Sequence, residues 1–134
     1  MVKTAAALVI AGIMSTIVVR VSAHHSFAAE FDQNQPITLR GTITKVERTN
    51  PHGWIYIDVK EPSGGVKNWA VETNAPAMLA RRGLTKEALA IGTEVKVDGY
   101  RAKDGSRMVN GTTVTFPDGR DFSVGSATTD SPNK

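Results

Sequence analysis

The chain has 134 residues, of which 40% are hydrophobic and 22% are charged. That length fits one domain, and the composition is typical of a soluble globular protein and too apolar for a disordered one. The chain contains no cysteine, which excludes disulfides, thiolate metal sites and thiol catalysis.

The N-terminal 23 residues have the pattern of a secretory signal peptide. Lys3 precedes an uncharged stretch at residues 4–19 that is mostly Ala, Val and Ile, and Val-Ser-Ala at residues 21–23 supplies a cleavage site. An uncleaved membrane anchor is the alternative, but a spanning helix needs about 20 apolar residues and Arg20 ends this stretch earlier. We therefore expect cleavage after Ala23, a periplasmic or secreted location, and no membrane span in the mature chain.

The charge balance argues against a nucleic-acid partner. Cleavage would remove Lys3 and Arg20, which lowers the formal net charge from +3 to +1. Nucleic-acid-binding domains normally carry clustered Lys and Arg. Here charges of both signs alternate along the chain and the only basic doublet is Arg81-Arg82. We expect no nucleic-acid partner.

The mature chain divides into an arm, a domain and a tail. Residues 24–36 form the predicted N-terminal arm, anchored by Phe27 and Phe31, the domain spans residues 37–124, and residues 125–134 form a loose polar tail. The first predicted strand covers residues 37–43 by its alternation of apolar and polar side chains. The apolar phase then slips from Ile43 to Val46, which predicts a β-bulge.

The other predicted elements follow in short succession. Residues 54–59 form a strand with Ile55, Ile57 and Val59 on one face and Trp54 and Tyr56 on the other. The remaining predictions are strands at 67–73, 93–101, 108–116 and 122–124, a helix at 75–83, and a second short helix at 85–90.

This order predicts an all-β fold with a short helical insert. Three strands, a helical segment and two further strands with an extra hairpin suit a small OB-like Greek-key barrel, with a split β-sandwich as the alternative. The period-2 phases predict one hydrophobic core, made of Ile43, Ile55, Ile57, Trp69, Val71, Leu79, Val95, Val97, Val114 and Phe116.

Short motifs are distributed over the whole mature chain. They are His24-His25-Ser26-Phe27, Phe31-Asp32, Gly41-Thr42-Ile43, Asn50-Pro51-His52, Trp69-Ala70-Val71-Glu72 and the segment 99–105. With these motifs the chain resembles a family of small exported bacterial proteins that is catalogued only as a domain of unknown function. The resemblance implies an exported, periplasmic protein and brings no established activity.

The three histidines are the candidate metal ligands. Cleavage after Ala23 would give His24 both a free α-amine and an imidazole, and His25 or His52 would supply a second imidazole. Such nitrogen-rich sets favour Cu(II), with Glu30 or Asp32 as an axial oxygen. The alternative is that the two adjacent histidines are solvated and that His52 is a turn residue.

Trp54 and Tyr56 are the candidate ligand-binding residues. They share the outward face of a strand that commonly carries the ligand in OB folds, and exposed rings there can stack on sugars or bases. The alternative, which we favour, is that the Phe27 and Phe31 arm or the C-terminal hairpin covers them.

The sequence predicts an exported, non-catalytic binding module for a small ligand or an envelope protein. The second hypothesis is a periplasmic copper-binding protein that uses His24, and a small hydrolase is a remote third. No nucleophile elbow, phosphate loop or dinucleotide fingerprint is present in the sequence.

Overall fold

The computed structural model describes residues 27–125, so the predicted signal peptide and nearly all of the predicted tail lie outside the described residues. Six strands and two short helices follow in the order α1 (Phe27–Glu30), β1 (Phe31–Glu47), β2 (Gly53–Lys60), β3 (Val66–Thr73), α2 (Pro76–Arg81), β4 (Glu94–Ala102), β5 (Met108–Thr115) and β6 (Asp121–Ser123). Neither α1 nor α2 has the length and apolar character that a membrane-crossing helix requires.

Five of the strands pair in a ring. Strand β1 pairs antiparallel with both β2 and β4, β2 pairs with β3, and β4 pairs with β5. A short parallel pairing of β3 with β5 connects the two ends, and β6 adds to the outside of β5. The ring-like order β1-β2-β3-β5-β4 is that of the OB type, so the predicted β-fold with a helical insert is confirmed, and the strands form one sheet rather than a split sandwich.

Strand β1 bends because it belongs to both sides of the ring. Gly41 pairs with Val59 of β2 and with Val95 of β4. A Cβ atom at Gly41 would lie 2.5 Å from the carbonyl oxygen of Asp58, so only glycine allows the neighbouring backbone this close. The register of β1 against β2 shifts between Ile43 and Lys45, which confirms the predicted bulge.

The first strand begins earlier than expected. It starts at Phe31 rather than at residue 37, so part of the predicted arm is strand. Phe31 is buried and pairs with Ala102, while the Lys103 amide donates to the carbonyl oxygen of Glu30 at 2.9 Å. The burial of the Phe31 side chain supplies the stabilisation that keeps this polar segment in the sheet.

All ten residues of the predicted core are buried in one hydrophobic cluster. The cluster extends further to Leu39, Leu84, Leu89, Val109 and Val124.

The helical insert is shorter than predicted. Helix α2 has Pro76 in its first turn, and Gly83 follows it with a φ of +94°, as expected for a residue that ends a helix. The predicted second helix at 85–90 is wrong, because residues 86–89 form only a turn. Thr85 accepts a hydrogen bond from the Ala88 amide at 3.3 Å, as a cap would. Leu84 and Leu89 are both buried, so the segment is held at each end by packing in the core. A helix this short gains little from its own hydrogen bonds, because forming the first helical turn is unfavourable.

Candidate functional site

The predicted metal ligands divide between two parts of the chain. His24 and His25 lie outside the described residues, whereas His52 lies in the bend before β2. Its imidazole Nδ1 is 3.5 Å from Glu72 Oε1 and 3.3 Å from the carbonyl oxygen of Thr73. Between residues 27 and 125, no group of three or more His, Asp or Glu side chains is placed to hold a metal ion. The described part of the predicted site is therefore a histidine beside a carboxylate.

The pairing of β2 with β3 brings His52 to Glu72. Gly53 pairs with Thr73 and Trp54 pairs with Glu72, so the bend before β2 lies against the end of β3. The Thr49 hydroxyl donates to the His52 carbonyl oxygen at 2.8 Å and holds the bend. Glu72 is buried, with a residue exposure of only 8%. A carboxylate at such a position needs polar neighbours, and the His52 imidazole is one of them.

Trp54 and Tyr56 face outward, as predicted, and both are half-buried. The Tyr56 hydroxyl donates to Glu47 Oε2 at 3.2 Å, and the Lys45 ammonium lies 5.2 Å from the centroid of the Tyr56 ring. Desolvation, followed by the nearby Glu47 carboxylate, raises the pKa of Tyr56 above its ordinary value. One face and the hydroxyl of Tyr56 are thus already engaged by neighbours on β1.

The rings of the arm pack at β4. Phe27 stacks on Phe31 with centroids 5.8 Å apart and meets Tyr100 edge-on at 5.5 Å. The arm was expected to cover Trp54 and Tyr56, but its rings contact Tyr100 of β4, and the side chains of Lys45 and Glu47 provide the contacts at Tyr56.

An open concave surface lies where β1, β2, β4 and the end of β5 meet. It is a groove with a volume of about 570 Å³. Gly41, Val95, Thr115, Phe116 and Pro117 contribute to its lining. It is also lined by five charged side chains and the Thr42 hydroxyl, and we call these six residues the groove set: Arg40, Thr42, Asp58, Lys60, Glu94 and Lys96.

Strand register sorts the groove set into two rows. Arg40 lies opposite Lys96, and Lys60 ends β2 one residue beyond the pair formed by Gly41 and Val59. These three cations form one row across β2, β1 and β4. Two residues further along β1, Thr42 lies opposite Asp58 on one side and Glu94 on the other, which forms an acidic row.

Neighbouring contacts neutralise part of this charge. The Lys96 ammonium is 3.2 Å from Asp98 Oδ2. The hydrogen bond from the Thr38 hydroxyl, and then the Lys96 ammonium, hold the pKa of Asp98 below its ordinary value, so Asp98 is ionised at neutral pH. Asp58 accepts a hydrogen bond of 2.8 Å from the Asn68 side-chain amide. Among the ion pairs of residues 27–125, none within 4.0 Å involves Arg40 or Lys60.

The sequence patterns did not identify the groove set as a site. Alternation places Arg40 and Thr42 on the outward face of β1, since Leu39 and Ile43 are in the core. The pairing partners of Arg40 and Thr42 come from β2 and β4. Alternation along one strand does not reveal which residues of other strands will lie opposite it.

Comparison with known proteins gives the chain a family and no activity. No curated protein matches it. No solved structure matches it either. A family model does match residues 11–112, which is most of the chain, and its description is a family of unknown function, DUF6152. The chain belongs to this family, as the motifs between His24 and residue 105 indicated.

Proposed function

We propose that this protein is an exported, non-catalytic binding module, and that its ligand occupies the groove over β1. The observation that carries the proposal is the groove itself, an open volume of about 570 Å³ lined by the groove set. That volume lies within the range of about 300–1,000 Å³ typical of small-molecule sites. Five of its eleven lining residues are charged, which favours a polar, ionic ligand over an apolar one.

The charges of the groove support binding rather than catalysis. A general acid or base works best with a pKa near the working pH. The shifted carboxylate beside the groove, Asp98, has its pKa moved downward, away from neutrality. Arg40 and Lys60 offer positive charge, which orients an anionic group of a ligand.

The test begins with protein recovered from the native host. Its intact mass is expected to lack residues 1–23, and a full-length mass would contradict export. Backbone amide NMR is then recorded while a panel of small ionic compounds is added. We expect shift changes at Gly41, Thr42 and Val95, which Arg40→Gln reduces. Lys86→Gln, at an exposed turn position, is the matched control that leaves the changes intact. Changes confined to residues outside the groove would contradict this assignment of the site.

A second candidate function is copper binding, and the environment of His52 favours it. A backbone carbonyl only accepts hydrogen bonds, so the tautomer that fits the 3.3 Å contact with the Thr73 oxygen has its proton on Nδ1. The other nitrogen, Nε2, then carries the lone pair that a metal needs. Ligating histidines commonly donate their second N–H to a carboxylate or carbonyl, and here Glu72 and Thr73 both face Nδ1. His24 would add its amine and imidazole after cleavage.

Calorimetric titration of the cleaved protein with Cu(II) tests this candidate. His24→Ala is expected to weaken binding most, because it removes the imidazole of the residue that chelates twice. Glu72→Gln is expected to weaken binding by about 10–100-fold, the effect typical of a lost outer-shell partner. The control is the uncleaved chain, in which the amine of His24 is an amide. Binding no tighter than that of an unfolded peptide with the same N-terminal residues would refute the copper candidate.

A further inference from the structure

We propose that the groove binds a zwitterion of the short-peptide class, with its carboxylate at Arg40 and Lys60 and its ammonium group at Asp58 and Glu94. This inference rests on the proposed binding function, because it names the ligand of the same groove. It follows from the separation of charge along β1 and from the spacing of the two rows.

The positive charge of the cationic row is compensated only in part. Arg40 lies directly opposite Lys96, and like charges at such cross-strand positions are destabilising. The Asp98 carboxylate, 3.2 Å from the Lys96 ammonium, reduces this repulsion by neutralising the charge of Lys96. Arg40 and Lys60 remain without an ion pair in the described part of the chain, and a guanidinium binds a carboxylate through two parallel hydrogen bonds. A carboxylate of the ligand would therefore find its strongest partner at Arg40.

The acidic row has the complementary property. Asp58 and Glu94 flank Thr42 from β2 and β4, so two carboxylates face the same part of the groove. Asp58 accepts one amide hydrogen bond from Asn68, and Glu94 is exposed at the start of β4. An ammonium group between them would donate a charge-assisted hydrogen bond to each carboxylate, with the Thr42 hydroxyl as a third acceptor.

The spacing selects a peptide of two or three residues. Arg40 and Thr42 are two positions apart on β1, and a strand advances about 3.3 Å per residue, so the rows are separated by about 7 Å. An extended peptide spans at most about 3.5 Å per residue, so a dipeptide is the shortest peptide that reaches both rows. A free amino acid spans only about half of this backbone spacing.

A ligand with one charge meets a penalty that a zwitterion avoids. A simple anion at Arg40 lies within one strand repeat of Asp58 and Glu94, and a simple cation at Glu94 lies within one strand repeat of Lys96 and Arg40. Coulombic repulsion at about 7 Å is appreciable at the effective dielectric of a protein surface. The two rows thus favour a ligand whose positive and negative groups are about as far apart as the cationic and acidic rows.

The experiment compares three probes with the same backbone by NMR titration of the mature protein. The probes are glycylglycine, its N-acetyl derivative and its C-terminal amide. We expect glycylglycine to shift the amides of the groove, and each capped probe to bind about fivefold more weakly, the cost of one exposed charge pair. Free glycine is expected to bind more weakly than the dipeptide.

Two variants assign the ends of the ligand. Arg40→Gln is expected to weaken the dipeptide and the N-acetyl probe but not the amide probe. Glu94→Gln is expected to weaken the dipeptide and the amide probe but not the N-acetyl probe, and Lys86→Gln is expected to change none of them. If the N-acetyl probe binds as tightly as the dipeptide, the zwitterion inference fails and the groove remains a binding site for anions. If none of the probes or other ionic compounds shifts groove amides, the proposed binding function fails with it.

Discussion

Ile57→Ala is expected to lower the free energy of unfolding by about 2–5 kcal/mol, the range for truncation of a large aliphatic side chain in a packed core. Ile57 is fully buried and lies between Ile43 of β1 and Trp69 of β3. Its loss would leave a cavity under two strand pairs whose backbones are fixed by their hydrogen bonds, so the core can close over it only in part. Urea unfolding, followed by circular dichroism, measures the change.

Two matched variants show whether the effect comes from burial. Ile57→Val removes one methylene and is expected to cost about 0.5–1.5 kcal/mol. Ile91→Ala removes a side chain of the same kind that is 73% exposed, and it is expected to change the free energy of unfolding by less than about 0.5 kcal/mol. If Ile57→Ala costs no more than Ile91→Ala, strand β2 faces the opposite way and the core assignment is wrong.

The faces of the strands were predictable because alternation is a local property. Ile55 and Ile57 are buried and Trp54 and Tyr56 are half-buried on the other side, as the period of two requires. The slip in phase after Ile43 was local too, and the bulge lies where the pattern placed it. Apolar side chains of β1 must face the core on both sides of the bulge, so the apolar positions in the sequence change phase at the bulge.

The candidate sites were only partly predictable because they depend on which strands become neighbours. His52 was a candidate from its residue type, but its proximity to Glu72 comes from the pairing of Trp54 with Glu72. Arg40 and Lys96 are more than fifty residues apart along the chain, and only the pairing of β1 with β4 makes them neighbours. The turn at 86–89 shows the same limit, because Leu84 before it and Leu89 at its end pack in a core built from distant strands.

The groove and the surroundings of His52 are separate surfaces and can be tested independently. The residues that line the groove come from the middle of β1, the end of β2, the start of β4 and the end of β5. His52 and Glu72 lie at the start of β2 and the end of β3. A variant at Arg40 is therefore expected to leave Cu(II) binding unchanged, and a variant at Glu72 is expected to leave peptide binding unchanged.

Gly99→Ala is expected to destabilise the fold by about 3 kcal/mol or more, at the upper end of the range for added volume in a packed interior. A Cβ atom at Gly99 would lie 2.2 Å from the carbonyl oxygen of Asn110 and 2.6 Å from a methyl carbon of Val109. The nearest of these atoms belongs to the backbone of β5, so the clash can be relieved only if β4 and β5 separate. Gly65→Ala is the matched control, because an added Cβ there would meet nothing within 4 Å. We expect that control to change the free energy of unfolding by less than about 0.5 kcal/mol. Equal unfolding midpoints for the two variants in urea would show that β4 and β5 do not approach each other at Gly99 as described.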